Sequence, residues 1–210
     1  MRNKITSWYK KLHSHFGPQH WWPAETPFEV MVGAILTQNT NWLNVEKAIK
    51  NIKNARVLSA SKLYALPPKK LSSLIRPAGY YNVKAKRLRS FLEYFLREYK
   101  GDCKKMSARE TGILRGQLLS VNGIGPETAD SILLYALGKP AFVVDAYTKR
   151  ILSRHTLSKT DDPYDAVQKI FYKHLNPDAA LYNEYHALLV KLAKEYCLKN
   201  KPKCQICPLS

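Results

Sequence analysis

Apolar residues recur at helical spacing along most of this chain. Phe28, Met31, Val32, Ile35 and Leu36 form one stripe; Leu88, Phe91, Leu92, Phe95 and Tyr99 form a second. Leu181, Tyr185, Leu188, Leu189, Leu192 and Tyr196 form another near the C-terminus. A further apolar pair flanks a Gly-Ile-Gly turn, ending in Leu118, Leu119 and Val121 and resuming at Ala129, Ile132, Leu133 and Ala136. Shorter helices are predicted over 2–14, 41–53, 57–65, 68–75, 108–119, 145–154 and 164–174. Pro67-Pro68, Pro77-Ala78-Gly79, Gly138-Lys139-Pro140 and Asp161-Asp162-Pro163 separate them. Phe142-Val143-Val144 is the one strand-like run, and it is too short to build a sheet. The pattern predicts an all-α protein.

Length changes this picture little. The 210 residues fit one domain or two small ones. The break at Gly138-Lys139-Pro140 predicts a boundary with an active cleft between two lobes. Charge changes it more. Lys and Arg total 34 against 16 acids, a formal net charge of +18. So large an excess favours a polyanionic partner, most often nucleic acid, over a merely basic surface. Residues 1–16 have no continuous apolar run, and no 18-residue apolar segment occurs, so neither a signal peptide nor a membrane span is expected. Three of the 4 cysteines crowd the last 14 residues beside lysines. That arrangement suits thiolate ligation in a reducing cytoplasm better than disulfides.

The segment Val121-Asn122-Gly123-Ile124-Gly125-Pro126-Glu127 carries the most chemistry. Glycines at 123 and 125 permit positive φ and leave the turn amides of Gly123, Ile124 and Gly125 uncovered. The helix that follows adds its own orphan N–H groups and the positive end of its dipole. Such a turn holds a phosphate without reading a base. Asp145 follows Gly125 by 20 positions, which sets a carboxylate after the grip.

Four segments together resemble the helix-hairpin-helix DNA glycosylase superfamily, endonuclease III group. They are Gly33-Ala34-Ile35-Leu36-Thr37-Gln38-Asn39-Thr40, Gly79-Tyr80-Tyr81-Asn82-Val83-Lys84-Ala85-Lys86, the hairpin with Val144-Asp145, and the C-terminal cysteines. The resemblance implies a six-helix barrel over 27–138 and a second helical lobe from 1–26 plus 139–210. It also implies a monomer that acts near the nucleoid, binding double-stranded DNA and flipping a damaged base out of the stack. Asp145 matches the family's catalytic aspartate. Breaking an N-glycosidic bond builds positive charge on the sugar, which a carboxylate stabilises while it orients or deprotonates water. An aspartate there also suits the N-cap of the next helix, and the two roles can coexist.

Glu127 stands where bifunctional members carry a lysine that forms a Schiff base and cleaves the strand. An acid cannot form that imine, so the resemblance implies base hydrolysis without lyase activity. Trp21-Trp22-Pro23, Leu36 to Thr40, Trp42 and Glu127 further resemble the 3-methyladenine DNA glycosylase III type. In that type Trp21, Trp22 and Trp42 would line the base pocket, and stacked indoles suit a cationic alkylated purine. Gln38 and Tyr80 match positions that fill the gap left by the flipped base. Lys84, Lys86, Arg87 and Arg89 are expected to face phosphates beside Tyr80.

Cys197, Cys204 and Cys207 match the first part of the C-x6-C-x2-C-x5-C pattern that binds a [4Fe–4S] cluster in the endonuclease III group. The fourth cysteine would fall at about position 213, beyond Ser210, and the 3-methyladenine glycosylase III type is known without a cluster. Zinc is a weaker option. Two other readings stand beside the alkylpurine glycosylase: a bifunctional glycosylase/lyase for oxidised pyrimidines, and a non-catalytic helix-hairpin-helix DNA-binding module.

Overall fold

The computed structural model describes residues 2–210, and among these no strand is present. In chain order the helices are α1 (Arg2–Phe16), α2 (Pro27–Leu36), α3 (Trp42–Asn54), α4 (Ala60–Ala65), α5 (Pro68–Leu74), α6 (Tyr81–Tyr99), α7 (Cys103–Ser107), α8 (Thr111–Leu119), α9 (Pro126–Ser131), α10 (Ala146–Arg154), α11 (Tyr164–Tyr172) and α12 (Ala179–Glu195). Side-chain caps set several of these starts. Thr26, Asn41, Ser59, Asp102, Asp145 and Asp178 each accept an orphan amide of the helix they precede. The cap explains why α4 begins at Ala60 rather than at 57. The same device supports α7, which is too short to show periodicity in the sequence. Among the described residues no helix is long and apolar enough to cross a membrane.

The chain forms two compact units, Ala24–Gly138 and the N-terminal residues up to Pro23 with Lys139–Ser210. In the first, α2 is the central element, buried from Glu29 to Leu36 and packed against α3, α6 and α9. Phe28, Phe95 and Phe91 stack in series, with centroids 6.0 and 5.7 Å apart. Arg115 of α8 grips the fully buried Asp130 of α9 with two hydrogen bonds of 2.8 and 3.2 Å. Losing one partner of such a pair strands the other charge, at a cost of about 3–5 kcal/mol. Beyond Ser131 this helix widens into a π-helical turn over Ile132–Ala136.

In the second unit α12 packs against α1 and α10. The strand-like run has no strand partner, yet Ala141 to Val144 are buried. Side chains of α11 replace the missing ladder. The hydroxyls of Tyr172 and Tyr164 accept from the amides of Phe142 and Val144, each at 3.2 Å. Gln168 donates to the Phe142 carbonyl at 2.7 Å. Phe142 also stacks on Phe171 at 3.7 Å. This satisfied, buried segment leads directly into Asp145.

Candidate active site and nucleic-acid interface

The hairpin turn uses its two glycines differently. Gly123 has φ +85°, and a Cβ there would lie 2.2 Å from Cγ of Arg87. Only glycine suits both the left-handed backbone and that close approach. Gly125 is extended (φ −92°, ψ 177°), with open space where a Cβ would sit. Its lack of a side chain leaves the start of α9 uncovered. Ile124 departs from expectation. Its side chain is buried and its amide donates to the Val121 carbonyl at 3.0 Å. Ile124 therefore anchors the turn and has no free amide for a phosphate.

Gln38 is drawn into the same turn. Its amide donates to the Gly123 carbonyl (3.0 Å) and to Oγ1 of Thr128 (2.9 Å), while its oxygen accepts from Arg87 (2.5 Å). Tyr80 is unlike Gln38, being 73% exposed and left-handed (φ 46°) at the head of α6. Strain at an exposed aromatic marks a candidate functional position. Glu127 is exposed in the first turn of α9, where the helix dipole favours an acid.

Lys84 overturns its expected role. It is 1% exposed, and its ammonium donates to the carbonyls of Leu36 (2.8 Å) and Ala78 (2.7 Å). Burial, and then the nearby Arg87 cation, lowers its pKa to about 8. A lysine held between two carbonyls inside the unit ties the end of α2 to the turn before α6 and cannot meet DNA. Arg89 likewise donates to the carbonyls of Tyr64 and Leu66. Of the basic run, Lys86 alone is exposed.

Asp145 opens α10. One carboxylate oxygen, Oδ1, accepts from the Thr148 amide at 2.7 Å. The other, Oδ2, lies 3.6 Å from Nε2 of His186 on α12. Burial pushes this carboxyl up, but His186 and the contacts with Thr148 outweigh burial and hold it below the usual carboxylate range. The result is an anion kept in a largely dry setting, with both oxygens oriented.

Sequence reasoning missed His186, which is 5% exposed. Its signal was a histidine inside the otherwise apolar stripe of α12. Asn183, one turn earlier, was missed as well; it donates to the Trp21 carbonyl at 2.9 Å. One helix thus supports both Asp145 and the tryptophan pair. The rings of Trp21 and Trp22 meet edge to face with centroids 5.6 Å apart. Trp42 belongs to the other unit and opens α3, donating to Glu46 at 2.7 Å.

The three C-terminal cysteines lie near one another but are not gathered as a ligand set. Cys197 is buried and Cys204 exposed, and burial pushes the Cys207 thiol up. Among the described residues, no three His, Cys, Asp or Glu side chains are gathered as a metal site. Arginines of α10 hold the loop instead. Arg150 donates to the carbonyls of Cys197 (2.9 Å) and Ala193 (3.2 Å). Arg154 donates to those of Leu198 (2.6 Å) and Lys199 (2.9 Å) and to the Cys197 sulfur (3.3 Å). These forks dock the loop on α10.

Known proteins resemble this chain in sequence and fold. Residues 32–177 match the profile of the HhH-GPD superfamily base excision DNA repair proteins. A Methanocaldococcus jannaschii protein named as a DNA repair glycosylase is 51% identical over 203 residues, covering 96% of this chain and 91% of that protein. A Pyrobaculum aerophilum thymine/uracil-DNA glycosylase is 28% identical over 213 residues, covering 100% of this chain and 88% of that protein. The structure of H. pylori 3-methyladenine DNA glycosylase bound to 1,N6-ethenoadenine superposes with TM-score 0.80 and 31% identity, covering 91% of this chain and 98% of that one. A purely DNA-binding module is therefore set aside: the chain belongs to the HhH-GPD superfamily of base excision DNA repair proteins and is a DNA N-glycosylase.

Proposed function

We propose that this glycosylase is monofunctional and hydrolyses the bond between deoxyribose and an alkylated purine in duplex DNA. The observation that carries the reading is Asp145, whose two oxygens are held by Thr148 and His186. As the C1′–N bond breaks, its electron pair leaves with the base and positive charge grows on the sugar. The Asp145 carboxylate stabilises that charge and accepts a proton from the water that adds at C1′. A cationic alkylated purine leaves as a neutral base, so little acid assistance is required. The paired indoles of Trp21 and Trp22 suit a flat cation, as does the indole of Trp42 in the other unit. Tyr80, exposed at the head of α6, and Gln38, in the turn after α2, are proposed to fill the gap in the stack. Glu127 lacks the nucleophilic amine that a lyase needs. The H. pylori protein, solved with an alkylated adenine derivative, supports the substrate class.

A panel of duplexes, each with one lesion, tests this. Purified protein should release 3-methyladenine or 1,N6-ethenoadenine without cutting the strand, and borohydride should trap no adduct. A trapped adduct defeats the monofunctional reading. Release confined to thymine or uracil would instead place substrate preference with the Pyrobaculum relative.

A further inference from the structure

Asp145 is a short side chain at a helix start, and its cap bond engages only one oxygen. The amide of Thr148 fixes Oδ1 at 2.7 Å. Without a second partner, Oδ2 would be positioned by that single bond. His186 supplies the partner from a helix 41 positions along the chain, with Nε2 at 3.6 Å. Both side chains are largely buried, at 15% exposure for Asp145 and 7% for His186. That distance is ion-pair contact rather than a tight hydrogen bond, and it leaves Oδ2 free to approach a substrate. Building on the hydrolytic role proposed for Asp145, we propose that His186 is a positioning residue, holding Oδ2 toward the reacting sugar while the base leaves.

Other charged groups nearby are engaged elsewhere. Of the α10 cations, Lys149 donates to the Asp162 carbonyl at 2.7 Å, and Arg150 and Arg154 reach the carbonyls at the far end of α12 and its loop. From α1, Ile5 accepts the Tyr185 hydroxyl at 2.9 Å and Tyr9 meets the Tyr185 ring. The groups acting on the Asp145 carboxyl are Thr148, on its own helix, and His186. Thr148 lies on the same helix as Asp145, so His186 is the partner that reaches this carboxylate from α12.

The test uses the full chain and duplex DNA treated with dimethyl sulfate, following release of methylated purines in single turnovers across pH. His186→Leu should slow release roughly 100-fold, the scale of a 1 Å misplacement of a reacting group, with binding to undamaged duplex unchanged. Its acid limb should move to higher pH, because burial then raises the Asp145 carboxyl with no His186 contact to offset it. His186→Gln retains a donor and should recover part of the rate but not the acid limb. Wild-type rate and acid limb in His186→Leu would overturn the proposal. If that variant does not fold, an unshifted acid limb in His186→Gln overturns it alone. Asp145→Asn in the same assay separates the two ideas: persistent release there defeats the role of Asp145 itself, whatever His186 does.

Discussion

The hairpin and the Asp145 site solve opposite problems with the same kinds of residue. Around Gly123, polar groups bind one another. Gln38 bridges Gly123, Thr128 and Arg87, and the Ile124 amide turns inward. That closed network fixes the turn from within, and Gly125 leaves its backbone uncovered. Around Asp145 the polar groups instead converge on one carboxylate, which in the proposed mechanism keeps an oxygen to act. A backbone grip works best when its side chains are fully engaged, whereas a reacting carboxylate needs only its orientation fixed.

Asp145→Asn is the sharpest way to break the comparison. Asparagine is as good an N-cap as aspartate, so α10 and overall stability should persist. Base release should fall by about 10²–10⁴, the usual contribution of a positioned acid–base group, while affinity for duplex stays near wild type. Single-turnover release and a binding titration measure the two separately. Retained release would reduce Asp145 to a cap like those before α3 and α4.

Gly123→Ala attacks the other region. The new methyl carbon would need to displace Arg87 and adopt φ +85°. Strain and overpacking together should cost about 2–3 kcal/mol. Duplex binding should weaken more than single-turnover release at saturating protein. Crystallography or thermal melting of the variant checks the first effect and a salt titration the second. An undisturbed melt would mean that Arg87 moves aside freely.

This contrast also governs what the sequence reveals. The hairpin is legible because its residues are contiguous and its glycines are conformationally informative, although only Gly123 uses positive φ. The helices are legible wherever an apolar stripe runs for three turns, and α7 escapes because five residues give no period. Asp145 is legible as a residue, but its partners are not. His186 and Asn183 reach the site through the packing of α12, which no local spacing encodes. Lys84 shows the reverse failure. A lysine in a basic run reads as a phosphate contact, whereas the fold buries it between two carbonyls. The C-terminal thiols fit a family spacing, while the forks of Arg150 and Arg154 that dock their loop come from a distant helix.

Lys84→Met tests that buried lysine. Methionine approximates its volume but leaves the carbonyls of Leu36 and Ala78 without a donor, so the variant should lose about 2 kcal/mol at pH 7. Because the folded-state pKa is lowered, to about 8, the unfolded chain binds more protons above that pH. Wild-type stability therefore gains from this group as pH rises from about 8 toward 10.4, and the gap to the variant should widen over that range. Urea unfolding at several pH values measures it. A parallel fall of both proteins would place the lysine's proton elsewhere.

Glu127→Gln should have the smallest effect and so marks the edge of the hairpin's chemistry. The residue is exposed in the first turn of α9, where an acid's interaction with the helix dipole contributes about 0.3–1 kcal/mol. Removing the charge should lower stability by no more than that and slightly tighten duplex binding, since one repulsion with phosphate disappears. Release should stay within about threefold of wild type, consistent with so small an energy, and borohydride should trap nothing from either protein. A tenfold or larger loss of release would make Glu127 a working acid. The proposed division between a gripping hairpin and a reacting carboxylate would then fail within the first turn of the gripping helix.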